Sequence, residues 1–114
     1  MLKDCDHDVL KGTSICARCP KPDDWQQLAN CLSGDPDRFY PPDTTDPALT
    51  QEAKSICRDC PVKGFCLEDG WADKYGIWAG FTPEERIYLR TLFVLPKRKS
   101  DQREMIRIVA HRFN

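Results

Sequence analysis

A small all-α domain held together by cysteine-bound metal is the fold the sequence predicts, and three observations lead there. Apolar residues recur at helical spacing behind recognisable helix starts. Seven Cys sit among only 114 residues. Nine Pro, 31% charged residues and a mean hydropathy of -0.59 leave little for a hydrophobic core alone. One small domain fits this length, and a large multi-domain enzyme does not. No apolar run approaches the ~20 residues that cross a bilayer, so no membrane role is expected. The start, Met1-Leu2-Lys3-Asp4-Cys5-Asp6, lacks the apolar stretch of a secretory signal, which points to the cytoplasm. Thiols stay reduced there, so closely spaced cysteines read first as metal ligands, and an odd count argues against a disulfide framework.

Residues 1–24 read as an irregular arm, with Cys16-Ala17-Arg18-Cys19-Pro20-Lys21-Pro22-Asp23 giving two prolines and little periodicity. Asp23 or Asp24 caps a short helix from Trp25 to Cys31, placing Trp25, Leu28 and Cys31 near one face. Gly34 to Pro42 follows as turn and extended loop, its Phe39 and Tyr40 standing out in polar company. Asp46-Pro47 opens a helix to about Cys60, stopped by Pro61. Leu49, Ala53, Ile56, Cys57 and Cys60 fall on its inward stripe. Val62 to about Asp73 is a further helix carrying Phe65, Cys66 and a core Trp71, with Gly64 and Gly70 weakening its regularity. Gly76-Ile77-Trp78-Ala79-Gly80 is a tight turn in which Gly76 and Gly80 permit positive φ. Thr82-Pro83-Glu84-Glu85 is a capping box opening an amphipathic helix to Leu95, before Pro96. A last helix, capped by Ser100 or Asp101, carries Met105, Ile106, Ile108 and Val109. The organisation is an arm at 1–24, a domain at 25–95 and a basic tail at 96–114.

The net charge of -1 hides a split. Residues 1–85 hold 9 Lys/Arg against 16 Asp/Glu, and residues 86–114 hold 8 against 2, so the balance runs from -7 to +6. Arg86, Arg90, Lys97, Arg98, Lys99, Arg103, Arg107 and Arg112 make a basic end that suits phosphate backbones or an acidic protein face, or simply a solvated helix surface.

Cys57-Arg58-Asp59-Cys60 sets two thiols one helical turn apart, and Cys66 follows across Pro61. Three sulfurs therefore converge from two helical segments, with Cys31 the best candidate for a fourth. Four thiolates suit a structural zinc ion or an iron–sulfur cluster. A single CxxC joined by two lone cysteines, in place of two paired knuckles, leans towards the cluster. A redox dithiol is the other use of CxxC, but the βαβ context it needs is missing. In the arm, Cys5, His7, Cys16 and Cys19 form a candidate second site of zinc type, against which stands a flexible arm with free thiols.

The order Cys31, Asp35-Pro36, Phe39-Tyr40-Pro41, Cys57-x2-Cys60-Pro61-Val62-x3-Cys66-Leu67, Gly76-Ile77-Trp78-Ala79-Gly80 and Thr82-x2-Glu85-Arg86 resembles the WhiB-like transcriptional regulators of actinobacteria and their phages, over about residues 25–90. The resemblance implies a 4Fe–4S cluster on Cys31, Cys57, Cys60 and Cys66 inside a small helical fold. It also implies sensitivity to oxygen or nitric oxide, and binding to the C-terminal domain of the primary sigma factor through Trp25, Phe39, Tyr40 and Trp78. Isolated aromatics of this kind are typical interface anchors, and covering the cluster is the alternative use for them. Ala79 replaces a usual glycine of the family turn, so this backbone position is expected not to depend strictly on glycine. No Arg-Gly-Arg-Pro hook is present, which leaves phosphate contacts by Lys97, Arg98 and Lys99 as the expected DNA interaction. The resulting expectation is a non-enzymatic regulator of promoter activity with no small-molecule substrate. Its competitors are a zinc-stabilised nucleic-acid-binding module and a protein disulfide reductase formed by the metal-free chain.

Overall fold

The computed structural model describes residues 20–32 and 35–113, and the arm cysteines Cys5, Cys16 and Cys19 with His7 lie outside them. Two 3-10 turns, Trp25–Leu28 and Pro36–Phe39, precede four helices: α1 Pro47–Arg58, α2 Lys63–Gly70, α3 Pro83–Leu92 and α4 Lys99–Arg112. Among the described residues the only extended pairing is an isolated bridge between Trp78 and Phe81.

The helix starts follow their local chemistry. Asp46 caps α1 by accepting from the Ala48 N–H at 2.9 Å, with Pro47 in the first turn. Thr82 and Glu85 close a reciprocal capping box on α3. The ends are set by context. Phe93 leaves helical geometry after Leu92, short of the expected Leu95, because the residues running into Pro96 favour extended backbone. The segment from Trp25 makes one 3-10 turn instead of a helix to Cys31. No Asp24 side-chain cap forms, and Leu28 faces solvent, so Trp25, Leu28 and Cys31 do not share a buried face. On α1 the expected inward Leu49 is 42% exposed, since Thr50 takes the inward place in that first turn.

Two apolar clusters meet at Cys66. One joins Leu67, Trp71, Ala79, Phe81 and Leu89 to Ile106, Val109 and Ala110 of α4, and the other joins Trp25, Cys60, Val62 and Phe65. The segment read as a basic tail is thus a helix of the core, lying along α2. It begins at Lys99 with Arg98 in the capping position and no side-chain cap bond, so neither Ser100 nor Asp101 caps it. Asp101 sits in its first turn, 4.0 Å from the Arg98 guanidinium. Burying an apolar face of α4 outweighs its charge in deciding where it lies.

That packing withdraws two arginines from the expected basic surface. Arg107 is fully buried, paired with Glu68 and stacked 4.7 Å from the centre of the Phe65 ring. Lys21 extends the same group of charges, reaching Asp69 at 3.0 Å and Glu68 at 3.8 Å. Arg86 is also fully buried and belongs to the site below.

Candidate functional site

Cys57 lies in the last turn of α1, Cys60 in the link to α2, Cys66 on α2, and Cys31 follows the first 3-10 turn. The Asn30 side chain ties that last segment to α1 by donating to the Ile56 carbonyl at 3.3 Å. All four thiols line one cavity of about 310 Å³, walled also by Trp25, Lys63, Phe39, Tyr40 and Trp78. Cys57 and Cys60 are buried, Cys66 is partly buried and Cys31 is exposed at the rim. Among the described residues no three His, Cys, Asp or Glu side chains gather tightly enough to hold one metal ion. The four thiols line one cavity as a soft donor set, which fits a thiolate-bound metal centre, zinc or iron–sulfur alike.

The thiols influence one another electrostatically. Burial pushes Cys57 up to about 12, with the neighbouring Cys60 and Cys31 sulfurs adding to it and the Gly80 N–H opposing. Burial also raises Cys66, against a hydrogen bond from the Ala79 N–H, and raises Cys31, with Cys60 adding. Metal-free thiols of this kind hold their protons at neutral pH, and metal binding displaces them. Reactive dithiols need the opposite, a depressed pKa of the sort a helix N-terminus provides, whereas Cys57 sits at the C-terminal end of α1.

Beside the cavity stands the aromatic turn. Trp78 and Phe81 exchange backbone hydrogen bonds of 3.0 and 2.8 Å around Ala79 at φ +54° and Gly80 at φ +84°. Positive φ at both central residues marks a type I′ turn. Ala79 therefore occupies the left-handed region that glycine favours, and does so while its methyl is buried in the core. The amides of this turn point at two of the cavity cysteines, Ala79 N–H at Cys66 sulfur and Gly80 N–H at Cys57 sulfur.

Trp78 is partly buried, its indole N–H donating to the Tyr75 carbonyl at 3.1 Å. It lies flat against Gly70, where an added Cβ would fall 2.1 Å from the Trp78 Cγ. Tyr40, 55% exposed, lies over Gly76, where an added Cβ would meet its ring at 2.6 Å. The Ile77 N–H donates to the Phe39 carbonyl at 2.8 Å, which joins the two aromatic segments into one surface. Trp25 differs. It is 7% exposed and packs edge-on against Phe65, so it forms cavity wall.

Arg86 holds this arrangement from beneath. Its Nη1 donates to the carbonyls of Gly76 and Phe81 at 2.8 and 2.6 Å, and its Nη2 to those of Asp73 and Tyr75 at 3.1 and 3.0 Å. One guanidinium thus satisfies four carbonyls of the 73–81 loop, a task suited to a planar fork of donors. Arg90 adds a bond from Nη1 to the Trp71 carbonyl at 2.6 Å. His111 of α4 accepts from the Gly64 N–H at 3.1 Å, satisfying a free donor in the first turn of α2 between Cys60 and Cys66. Burial lowers that imidazole to about 4, with the Lys63 charge adding. The sequence singles out neither Gly70 nor His111 for these roles and counts Arg86 as surface charge. The nearest cue is Arg86 itself, four residues after the Thr82 cap and so on the inward side of its helix.

Lys97, Arg98 and Lys99 are exposed at the start of α4. Among the described residues no helix is long and apolar enough to cross a membrane.

The same stretch of chain matches known proteins. The family model described as "Transcription factor WhiB" covers residues 25–89. "Transcriptional regulator WhiB2" of Mycolicibacterium smegmatis is 40% identical over 70 residues, covering 60% of this chain and 52% of that protein. The WhiB2 of Mycobacterium tuberculosis is 40% identical over 70 residues, 60% of this chain and 75% of that protein. The WhiB1 of M. tuberculosis is 38% identical over 73 residues, 59% of this chain and 84% of that protein. The chain thus spans about half the length of the M. smegmatis relative, and the shared region is the one that holds the four cysteines and the turn. Both the matched span and the site it contains assign the chain to a family of transcriptional regulators, not of enzymes: it belongs to the WhiB transcription factor family.

Proposed function

We propose that the chain is an iron–sulfur-dependent transcription regulator of the cytoplasm. In this reading Cys31, Cys57, Cys60 and Cys66 hold a 4Fe–4S cluster. Trp78, Phe39 and Tyr40 dock on the C-terminal domain of the primary sigma factor, and Lys97, Arg98 and Lys99 contact promoter DNA. One observation carries it: four thiols line a single cavity whose neighbouring turn donates two amides to their sulfurs and holds the partly exposed Trp78 beside them. When bound, the cluster supplies a centre sensitive to oxygen or nitric oxide. The chain's residues do the rest. Cys57 and Cys66 anchor the turn through Gly80 and Ala79, Arg86 fixes its carbonyls, and Gly70 leaves room for the indole. Trp25, expected with the docking aromatics, is 7% exposed and lines the cavity, which supports a role for it as cavity wall in this reading.

The DNA interaction in this reading is narrower than the sequence charge suggests, because Arg86 and Arg107 are internal. Removing one phosphate-binding cation should lower the salt slope of binding by about 0.9. Neutralising Lys97, Arg98 and Lys99 together tests this by salt titration on promoter DNA, and an unchanged slope would make them solvated charges only.

Anaerobic purification tests the metal assignment. Brown protein with broad visible absorption and iron and acid-labile sulfide in equal amounts supports the cluster. Colourless zinc-loaded protein would replace it with the zinc-stabilised module. Zinc in addition to iron, lost on Cys16→Ala with the visible absorption intact, would establish the separate site proposed for Cys5, His7, Cys16 and Cys19.

A further inference from the structure

The cavity wall contains a cation that neither the docking surface nor the apolar core explains. Lys63 opens α2 between Cys60 and Cys66, lines the cysteine cavity and is 7% exposed. Its Nζ donates to the Arg58 carbonyl at 2.9 Å, at the end of α1. Lys63 takes no part in the ion pairs seen among the described residues, such as those of Lys21, Lys54, Arg98 and Arg107. The charges that act on it are Asp59, then Cys60 and Cys57, with Arg58 opposing. Lysine is rarely buried unless paired, and a lone ammonium is costly to desolvate. One carbonyl is a modest return for that cost.

Four thiolates around iron and sulfide form a centre of net negative charge, and such a centre adds to the pull of Asp59 an anion inside the cavity that Lys63 lines. We propose that Lys63 is the countercharge of the metal centre held by Cys31, Cys57, Cys60 and Cys66, and that it sets how readily that centre accepts an electron. The inference rests on the reading of those cysteines as cluster ligands. Uptake of one electron makes the centre more negative, so a fixed cation beside it favours the reduced form and raises the potential. Net charge and burial are two of the terms that set iron–sulfur potentials. Arg38, which acts on Cys31 at the rim, and Arg86, which acts on Cys66 from beneath the turn, are further cations near the thiols. His111, the neighbouring group on α4, is held neutral and adds no charge.

The test uses the full chain, loaded anaerobically with ferrous iron and sulfide, and reads the midpoint of one-electron reduction at an electrode, which supplies the electron. Lys63→Met and Lys63→Gln should shift the midpoint to more negative potential, Lys63→Arg should keep it near wild type, and Lys54→Met should leave it in place. Lys54 is the control because it is already paired with Glu85 at 2.7 Å. Lys63→Gln retains a donor for the Arg58 carbonyl, so it carries the comparison if Lys63→Met loads poorly. Failure of both neutral variants to load, with Lys63→Arg loaded, points the same way as a shifted midpoint. Failure of all three overturns a role for charge. Loaded neutral variants with the wild-type midpoint would reduce Lys63 to a wall-filling residue and leave the cluster reading intact. A wild-type chain that takes up no iron–sulfur chromophore would bring down the cluster reading, and the countercharge with it.

Discussion

Arg86→Lys separates a buried organiser from a surface charge. The substitution keeps the charge and much of the length but replaces a planar fork by one ammonium, which cannot reach carbonyls at Gly76, Phe81, Asp73 and Tyr75 together. The carbonyls of Phe81 and Tyr75 keep donors from Trp78, so the loss falls on the Gly76 carbonyl, whose bond to Arg86 is buried, and on the part-buried Asp73 carbonyl. A hydrogen bond from a charged group is worth ~1.5–3 kcal/mol, and an orphaned buried carbonyl costs ~1–3 kcal/mol, so a loss of about 3–5 kcal/mol is expected. That is a large share of the ~5–15 kcal/mol that stabilises a domain of this kind. At roughly 4 °C per kcal/mol for this length, the melting midpoint of the loaded chain should fall by about 12–20 °C. Below its new midpoint the variant should also bind the sigma domain more weakly, because the 73–81 loop that carries Trp78 has lost its support. Circular dichroism melts paired with binding titrations at low temperature measure both effects. A midpoint within about 2 °C of wild type would refute the reasoning, since it would mean that four short bonds to a buried guanidinium contribute nothing.

Three further outcomes follow from individual contacts. Gly70→Ala should gain up to ~1 kcal/mol of helix propensity yet weaken sigma binding more than tenfold, because its methyl occupies the place of the Trp78 ring; titration with unchanged affinity would show that the indole position is unimportant. His111 has a folded pKa of about 4 against an ordinary 6.5, so the neutral form contributes stability that is fully present above pH 6.5 and lost as pH falls through 4. Allowing for its partial exposure, that is about 1–2 kcal/mol. His111→Gln, which still accepts from Gly64, should flatten the difference in urea midpoint between pH 7 and pH 4.5, and a slope equal to wild type would discount the cap. Cys60→Ala should lose iron and much of its helix content, since ligand binding is folding free energy in so small a body; full iron and full ellipticity would contradict that.

Much of the fold is legible in the sequence wherever it is punctuated locally. Asp46-Pro47 and the Thr82–Glu85 box place the starts of α1 and α3, and Pro96 accounts for the end of α3 to within three residues. The four cysteines that line one cavity are found by spacing because they lie on or beside the short helices that carry them. What escapes is decided by tertiary partners. Leu49 matches the periodic stripe of α1, but Thr50 faces the interior there. Arg86 and Arg107 count as positive charge in any tally, and only packing shows that one serves four carbonyls and the other pairs with Glu68. Gly70 looks like a weak point in a helix until Trp78 is placed against it. Ala79 reads in the sequence as a position that does not strictly need glycine. The structure adds the reason for the family's preference, since the position has positive φ, and shows this chain accepting that strain with a buried methyl.

Binding of the cluster-loaded Trp78→Ala chain to the sigma C-terminal domain tests the central claim most directly. Truncating a docking anchor should cost on the order of 2–4 kcal/mol, a loss of roughly 30- to 700-fold in affinity with little dependence on salt, while visible absorption and iron content stay at wild-type values. Affinity equal to wild type in a fully loaded variant would remove Trp78 from the interface and with it the proposal that the cysteine cavity and the aromatic turn act as one device.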